Sequence, residues 1–279
     1  MSNLFNLFWI FLILVSLQPV LQRQLLAQAR KRAPSQIAHE RGSAVTTLIH
    51  RQETMSILGF PVMRYIDVDD SESVLRDIRA TPSGIPIDVV LHTPGGLVLA
   101  ATQIASALAD HDAPVRAIVP HYAMRGGTLV ALAADEIEVD PHAALGPVDP
   151  QVGEYPAASI VVAAQETKDP DDKTLILADV SRKALRQVQD FIAHLLEGNM
   201  EPEQAKEVLH VLASGVWTHD YPLGPEELRK LGLPVKVGIP NSAYDLMALY
   251  PQPRGRQSAV EYVPSRPRPE LPPASRPRD

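Results

Sequence analysis

Cysteine is absent from all 279 residues, which removes disulfide frameworks, thiolate-bound zinc and cysteine nucleophiles together. A metal site would have only histidine and carboxylate to draw on. The phosphate-cradling Gly-Lys-Ser/Thr ending, a GxGxxG turn after a strand and an HExxH helix are also missing, so neither a metal nor a cofactor is expected. No internal repeat is evident. Clustered positive charge is missing from the body of the chain. Residues 1–32 hold Arg23, Arg30, Lys31 and Arg32 with no acid, and residues 251–279 hold six Arg against Glu261, Glu270 and Asp279. Taking that +4 and +3 off the net −7 leaves about −14 on residues 33–250. Such an acidic body excludes nucleic acid as the main partner, since binding to phosphate backbones needs grouped Lys and Arg.

What is present is the composition of a globular protein: 45% apolar and 21% charged residues, with a mean hydropathy of −0.05. At about 150 residues per domain this length allows one large domain or two small ones. The first 22 residues carry no ionisable side chain, and Leu7–Val15 is an unbroken apolar run. Continued through Leu17, Val20 and Leu21, it approaches the roughly 20 residues of a bilayer crossing. A single N-terminal transmembrane helix is therefore expected. Positive charge on its C-terminal flank alone places the body in the cytoplasm. A buried core helix and a cleaved signal peptide ending at Ala27-Gln28-Ala29 are the alternatives, the second weakened by the lack of a basic n-region. The last 29 residues contain eight prolines and read as an extended basic tail. The expected organisation is an anchor and basic flank over 1–32, a domain over 33–250 and a disordered tail over 251–279.

Within the body, strand-length apolar runs alternate with segments of helical period. Ile87–Leu91 and Val115–Val119 read as strands; Leu97–Leu108 and Thr128–Ala134 read as helices. Asp70 and Ser71 are placed to cap a helix running to about Ala80. A long amphipathic helix is expected over 175–196, and Pro202 sits where a first-turn proline belongs. This rhythm indicates an α/β domain.

Two glycine corners stand out. His92-Thr93-Pro94-Gly95-Gly96 follows a strand and opens into a helix, and glycines there permit positive φ and let backbone N–H groups converge on an anion. Pro120-His121-Tyr122-Ala123-Met124-Arg125-Gly126-Gly127-Thr128 repeats the arrangement before an Ala-rich helix. Corners on neighbouring parallel strands can share one cleft at the carboxyl ends.

With these stand Leu-Ile-His-Arg-Gln-Glu-Thr at 48–54, Ala-Leu-Ala-Ala-Asp-Glu-Ile at 131–137, Gly-Pro-Val-Asp-Pro-Gln at 146–151, Ile-Leu-Ala-Asp-Val at 176–180 and Trp-Thr-His-Asp-Tyr-Pro at 217–222. Together they make the chain resemble the serine dehydrogenase proteinase family, relatives of signal peptide peptidase A in the Clp protease and crotonase superfamily. The resemblance implies a spiral of β-β-α units, a peptide-binding groove and assembly into a homo-oligomer. It also implies an oxyanion hole from Gly95 and Gly96, with a second N–H from Gly126. In that pattern a nucleophilic serine precedes the second glycine. Here the residue is Arg125, whose guanidinium is always charged and cannot attack a carbonyl. A lysine base is implied too, and Lys183 is favoured over Lys168. The Clp-type histidine is replaced by Gly146-Pro147-Val148-Asp149-Pro150.

Thr128, Ser159 and Ser181 are weaker nucleophile candidates, and Trp217–Pro222 reads as a packed turn. Arg125 is expected to pair with Asp149, another internal acid or the terminus of a bound peptide. The reading is a membrane-anchored pseudoprotease that binds peptides, unfolded segments or partner subunits; the alternative is an active peptidase with an unrecognised nucleophile.

Overall fold

The computed structural model describes residues 2–50, 55–57, 60–62, 65–218 and 220–250. The chain begins with α1 (Ser2–Arg41), β1 (Ala44–Ile49), the antiparallel pair β2 (Met55–Ile57) and β3 (Phe60–Val62), and α2 (Val68–Ala80). It continues with β4 (Ile87–His92), α3 (Val98–Ala109), β5 (Val115–Val119), β6 (Tyr122–Ala123), α4 (Gly126–Leu132) and β7 (Glu136–Val139). Next come β8 (Ala144–Leu145), β9 (Gln151–Val152), β10 (Tyr155–Pro156), α5 (Ala157–Glu166) and α6 (Asp172–Leu196). The last elements are α7 (Pro202–Ala213), α8 (Pro225–Lys230), β11 (Val235–Val237) and α9 (Asn241–Ala248).

The expected α/β architecture is present. A parallel five-stranded sheet runs in the order β1-β4-β5-β7-β11, with Ala44 opposite Ile87, Ile87 opposite Val115, and Ile137 between Ala117 and Val235. Parallel strands need crossovers, and helices supplied for that purpose cover both faces. β4 is therefore buried along its whole length, and its side chains divide by parity. Ile87, Val89 and Leu91 enter the larger core with α3, α4, α6 and α7, whereas Val90 turns to a second core of Ile37, Ile118, Ala243 and Leu246 under α1 and α9.

Asp88 has the same parity as Val90, and a carboxylate at that depth must be neutralised. It accepts Arg41 Nε at 2.9 Å, Ser43 Oγ at 2.5 Å and Arg116 Nε at 2.6 Å. Arg41 also reaches buried Glu138 at 2.9 Å, and Lys236 meets the same carboxylate at 2.9 Å. Each charge in this network is closed by a side chain from another element.

The N-terminal expectation needs correcting. Among the described residues no helix is long and apolar enough to cross a membrane, so the structure lends the expected span no support. The helix is 40 residues long, Ser2–Arg41, and its last third docks on the domain. Ile37 is fully buried, and Arg30 donates to the Leu249 carbonyl at 2.8 Å while stacking on Tyr250. The boundary expected after residue 32 thus falls inside α1. Residues 251–279 lie outside the described residues.

The helix α2 is also capped differently from the reading. Asp67 is its N-cap and Asp70, three residues on, reaches back to the Asp67 N–H at 3.0 Å. This reciprocal pair satisfies two otherwise free donors of the first turn.

Candidate active site

All five strands run one way, so the turns after β4 and β5 meet at one edge of the sheet. They are joined through their backbones: Thr93 N–H donates to Tyr122 O at 3.2 Å, and Met124 N–H donates back to Thr93 O at 3.0 Å. The segment before α2 closes the other side, with Ile66 N–H to Gly95 O and Leu97 N–H to Ile66 O, both at 2.8 Å.

This crowding explains the glycines. Gly95 has φ +103°, and a Cβ there would lie 2.8 Å from the Arg125 Cβ and 3.0 Å from Met124 O. A Cβ on Gly96 would fall 2.2 Å from Ile66 O, a separation no side chain can occupy. The Gly95 N–H is already committed to Thr93 Oγ1 at 3.1 Å. Among the described residues the N–H groups of Gly96 and Gly126 donate to no other group. The Gly96 nitrogen lies 3.6 Å from the position a Gly126 Cβ would take, so the two donors are neighbours. Both donors are therefore left without an acceptor at the same corner among the described residues.

Arg125 is the residue between the corners. It is the N-cap of α4, with φ 52° and ψ −111°, and is the one non-glycine residue of positive φ among those described. That conformation costs on the order of 1–3 kcal/mol and is characteristic of strained functional turns, including the sharp strand-to-helix elbow that presents a nucleophile. Its Nε is buried without a hydrogen-bond partner. No ion pair joins the guanidinium to a described residue, so the expected internal pairing with Asp149 is not made, although Asp149 is itself buried.

Behind the first corner is a polar group that the sequence reading passed over. His50 Nδ1 stands 3.0 Å from Thr93 Oγ1, and His50 Nε2 stands 3.1 Å from Asp70 Oδ2. His50 and Thr93 are buried and Asp70 partly so. Burial pushes the Asp70 carboxyl up, but hydrogen bonds from His50 and from the Asp67 N–H outweigh that and hold it below the ordinary carboxylate value.

A match to the family described as ClpP-like SDH-type serine proteinase extends over residues 1–273. The chain belongs to this proteinase family. Among its relatives are two uncharacterized proteins of Methanocaldococcus jannaschii. MJ0137 is 50% identical over 260 residues, covering 92% of this chain and 91% of the relative. MJ1495 is 46% identical over 265 residues, covering 95% and 91%. The membrane protein NfeD1b of Bacillus subtilis is 25% identical over 142 residues, which is 50% of this chain and 30% of that protein.

The other residues singled out in this proteinase-family sequence are placed unequally. Gly95, Gly96, Gly126 and Arg125 come together. Lys183 does not join them: it pairs with Asp179 at 2.6 Å on the outer face of α6, its side chain 64% exposed. Lys168 is exposed on the segment between α5 and α6. The buried Thr128 hydroxyl bonds to Ala123 O at 3.0 Å and Gly146 O at 2.8 Å, tying α4 to the next turn. Ser159 is exposed on α5, whereas Ser181 is buried with an unpartnered hydroxyl. Trp217 stacks on Tyr221 at 4.1 Å, as a packed turn would; His219 lies outside the described residues.

His50 was recoverable in principle, since it directly follows a strand and lies in one of the matched stretches. Nothing local pointed from it to Asp70 or Thr93.

Proposed function

We propose that this ClpP-like family member binds peptides at the Gly96–Gly126 corner and is impaired in acyl transfer because Arg125 stands where the reaction needs a hydroxyl. The observation that carries the reading is the conjunction at residue 125. A strained elbow next to two N–H donors without acceptors is what an acyl-transfer site would use, and its side chain is a cation with a buried, unpartnered Nε and no ion pair to any described acid. A peptide carboxylate answers all of these features at once. One oxygen takes the place of the tetrahedral oxyanion against Gly96 and Gly126 N–H, and its charge is met by the guanidinium. The ligand class is therefore the carboxyl end of a peptide or unfolded segment. No cofactor is invoked.

Membrane association belongs to the same proposal. It is supported by the uncharged first 22 residues, by exposed Leu17, Leu21 and Leu25 along α1, and by the likeness to NfeD1b. Homo-oligomer formation is proposed from the family likeness and from exposed Leu175, Ile176 and Val180 on α6.

The test is active-site labelling and casein cleavage by full-length wild type and Arg125→Ser. Loss of a serine nucleophile costs a protease about 10⁶-fold in turnover, so the wild type should neither cleave nor react with a fluorophosphonate. Arg125→Ser should be labelled at residue 125 and gain cleavage. Stoichiometric labelling of the wild type would refute the impairment. An Arg125→Ser protein that remains unlabelled would refute the retained acyl-transfer geometry.

A further inference from the structure

The three residues His50, Asp70 and Thr93 have the order and spacing of a hydroxyl–imidazole–carboxylate relay, but they cannot act as a nucleophile system. Thr93 is wholly buried, and its oxygen is already engaged by the Gly95 N–H at 3.1 Å. The directions of the bonds follow from what each group can donate. An ionised Asp70 only accepts, so His50 Nε2 carries its proton toward Oδ2. In the neutral ring Nδ1 then accepts from the Thr93 hydroxyl at 3.0 Å, nearer than its other acceptor Gly95 O at 3.4 Å, and the Thr93 oxygen accepts from the Gly95 N–H. Asp70 Oδ2 accepts from both His50 Nε2 and the Asp67 N–H.

We infer that His50 and Asp70 are positioning residues that act through Thr93 on the Pro94–Gly96 turn, holding Gly95 at positive φ and leaving the Gly96 N–H beside that of Gly126 as a free donor. The physical need is specific. Gly95 N–H sits at a crowded corner where a buried donor without an acceptor is costly. Without the Thr93 oxygen the Gly95 N–H would have to seek another acceptor, and rotating that peptide would turn the neighbouring Gly96 N–H away from the shared spot. Fixing the Thr93 hydroxyl by His50, and His50 by Asp70, removes the freedom to do so. Asp70 is itself anchored by the capping box of α2. The start of that helix and the turn after β4 are thereby linked through side chains as well as through Ile66.

This inference rests on the oxyanion reading of Gly96 and Gly126 for its kinetic consequence only, and the test has two arms. In the first, hydrogen exchange at the Gly95 amide is measured by NMR on the full-length chain. Thr93→Val keeps the shape and removes the acceptor, so exchange at Gly95 should quicken roughly tenfold or more, the scale of one lost hydrogen bond, without global unfolding. Thr93→Ser should restore protection, and His50→Ala should fall between the two. Unchanged protection in Thr93→Val overturns the proposal whatever the activity.

In the second arm the same changes are placed on Arg125→Ser. Thr93→Val should lower kcat by about 100-fold, the scale of a misplaced reacting group, with KM nearly constant. Thr93→Ser should recover most of the rate. Loss of kcat and KM together with a general loss of protection would mean a merely structural role and would overturn the proposal. Should Arg125→Ser itself stay inactive, the failure belongs to the proposed function, and the exchange arm still decides the relay.

Discussion

Arg41 and Arg116 occupy one kind of polar interior and Arg125 another. The first two converge on Asp88, which is fully buried, and Arg41 continues to Glu138. Their charges are closed by partners from β4 and β7, within the fold itself. Arg125 lies beyond the opposite end of β4, at a backbone angle that L-residues avoid, with a buried Nε that no described residue meets. The same domain thus meets the partly buried guanidinium groups of Arg41 and Arg116 with carboxylates and leaves the Arg125 Nε without a partner among the described residues. Strain and an unmet donor at one residue are the two features that the proposed peptide ligand would account for.

The comparison breaks first at Asp88. Asp88→Ala would strand two partly buried guanidinium groups, and urea denaturation should show a loss of about 3–5 kcal/mol. A loss below about 1 kcal/mol would reduce the network to the worth of an exposed pair.

A smaller effect, of opposite sign, is expected at Arg125. Glycine accepts the 52° φ without a Cβ and removes the unmet donor, so Arg125→Gly should stabilise by about 1 kcal/mol, or about 2–4 °C in Tm. A lower Tm would mean that the guanidinium is satisfied, and the contrast between the two interiors would vanish.

The smallest effect is a pH dependence on the closed side. Burial raises the Glu138 carboxyl, but hydrogen bonds from Arg41 and Lys236 outweigh it and hold the group below its ordinary value. A lowered folded-state pKa gives stabilisation that is complete above the unfolded value, about 4.3, and is lost as pH falls through the folded one. Thermal melts should therefore decline below about pH 4.3, and Glu138→Gln should flatten part of the decline. An identical slope in wild type and variant would take Glu138 out of the network's pH response.

The residues differ in how readable they were. Val115–Val119 and the helix beginning at Pro202 stand as expected, because strand-length apolar runs and a first-turn proline are local properties. The start of α2 was misread by three residues because Asp67 and Asp70 are both competent caps, and the choice depends on where the incoming chain crosses Gly95 and Gly96. α1 outran its expected end because its C-terminal third is held by Ile118, Ala243 and Leu246, none of them near it in sequence. Lys183 was chosen from its neighbours in the chain, which could not reveal that the amine faces Asp179 and solvent.

By itself the sequence determined the alternation of strands and helices, the glycines at both corners and the permanent charge at 125, because these follow from side-chain chemistry and local periodicity. Only the tertiary structure decided that Ile66 would crowd Gly96, that His50 would reach across 43 residues to Thr93, and that Arg125 would pair with no acid among the described residues. Those outcomes depend on the parallel register of β1 against β4 and on the docking of the segment before α2, which bring together groups whose encounter no local pattern encodes.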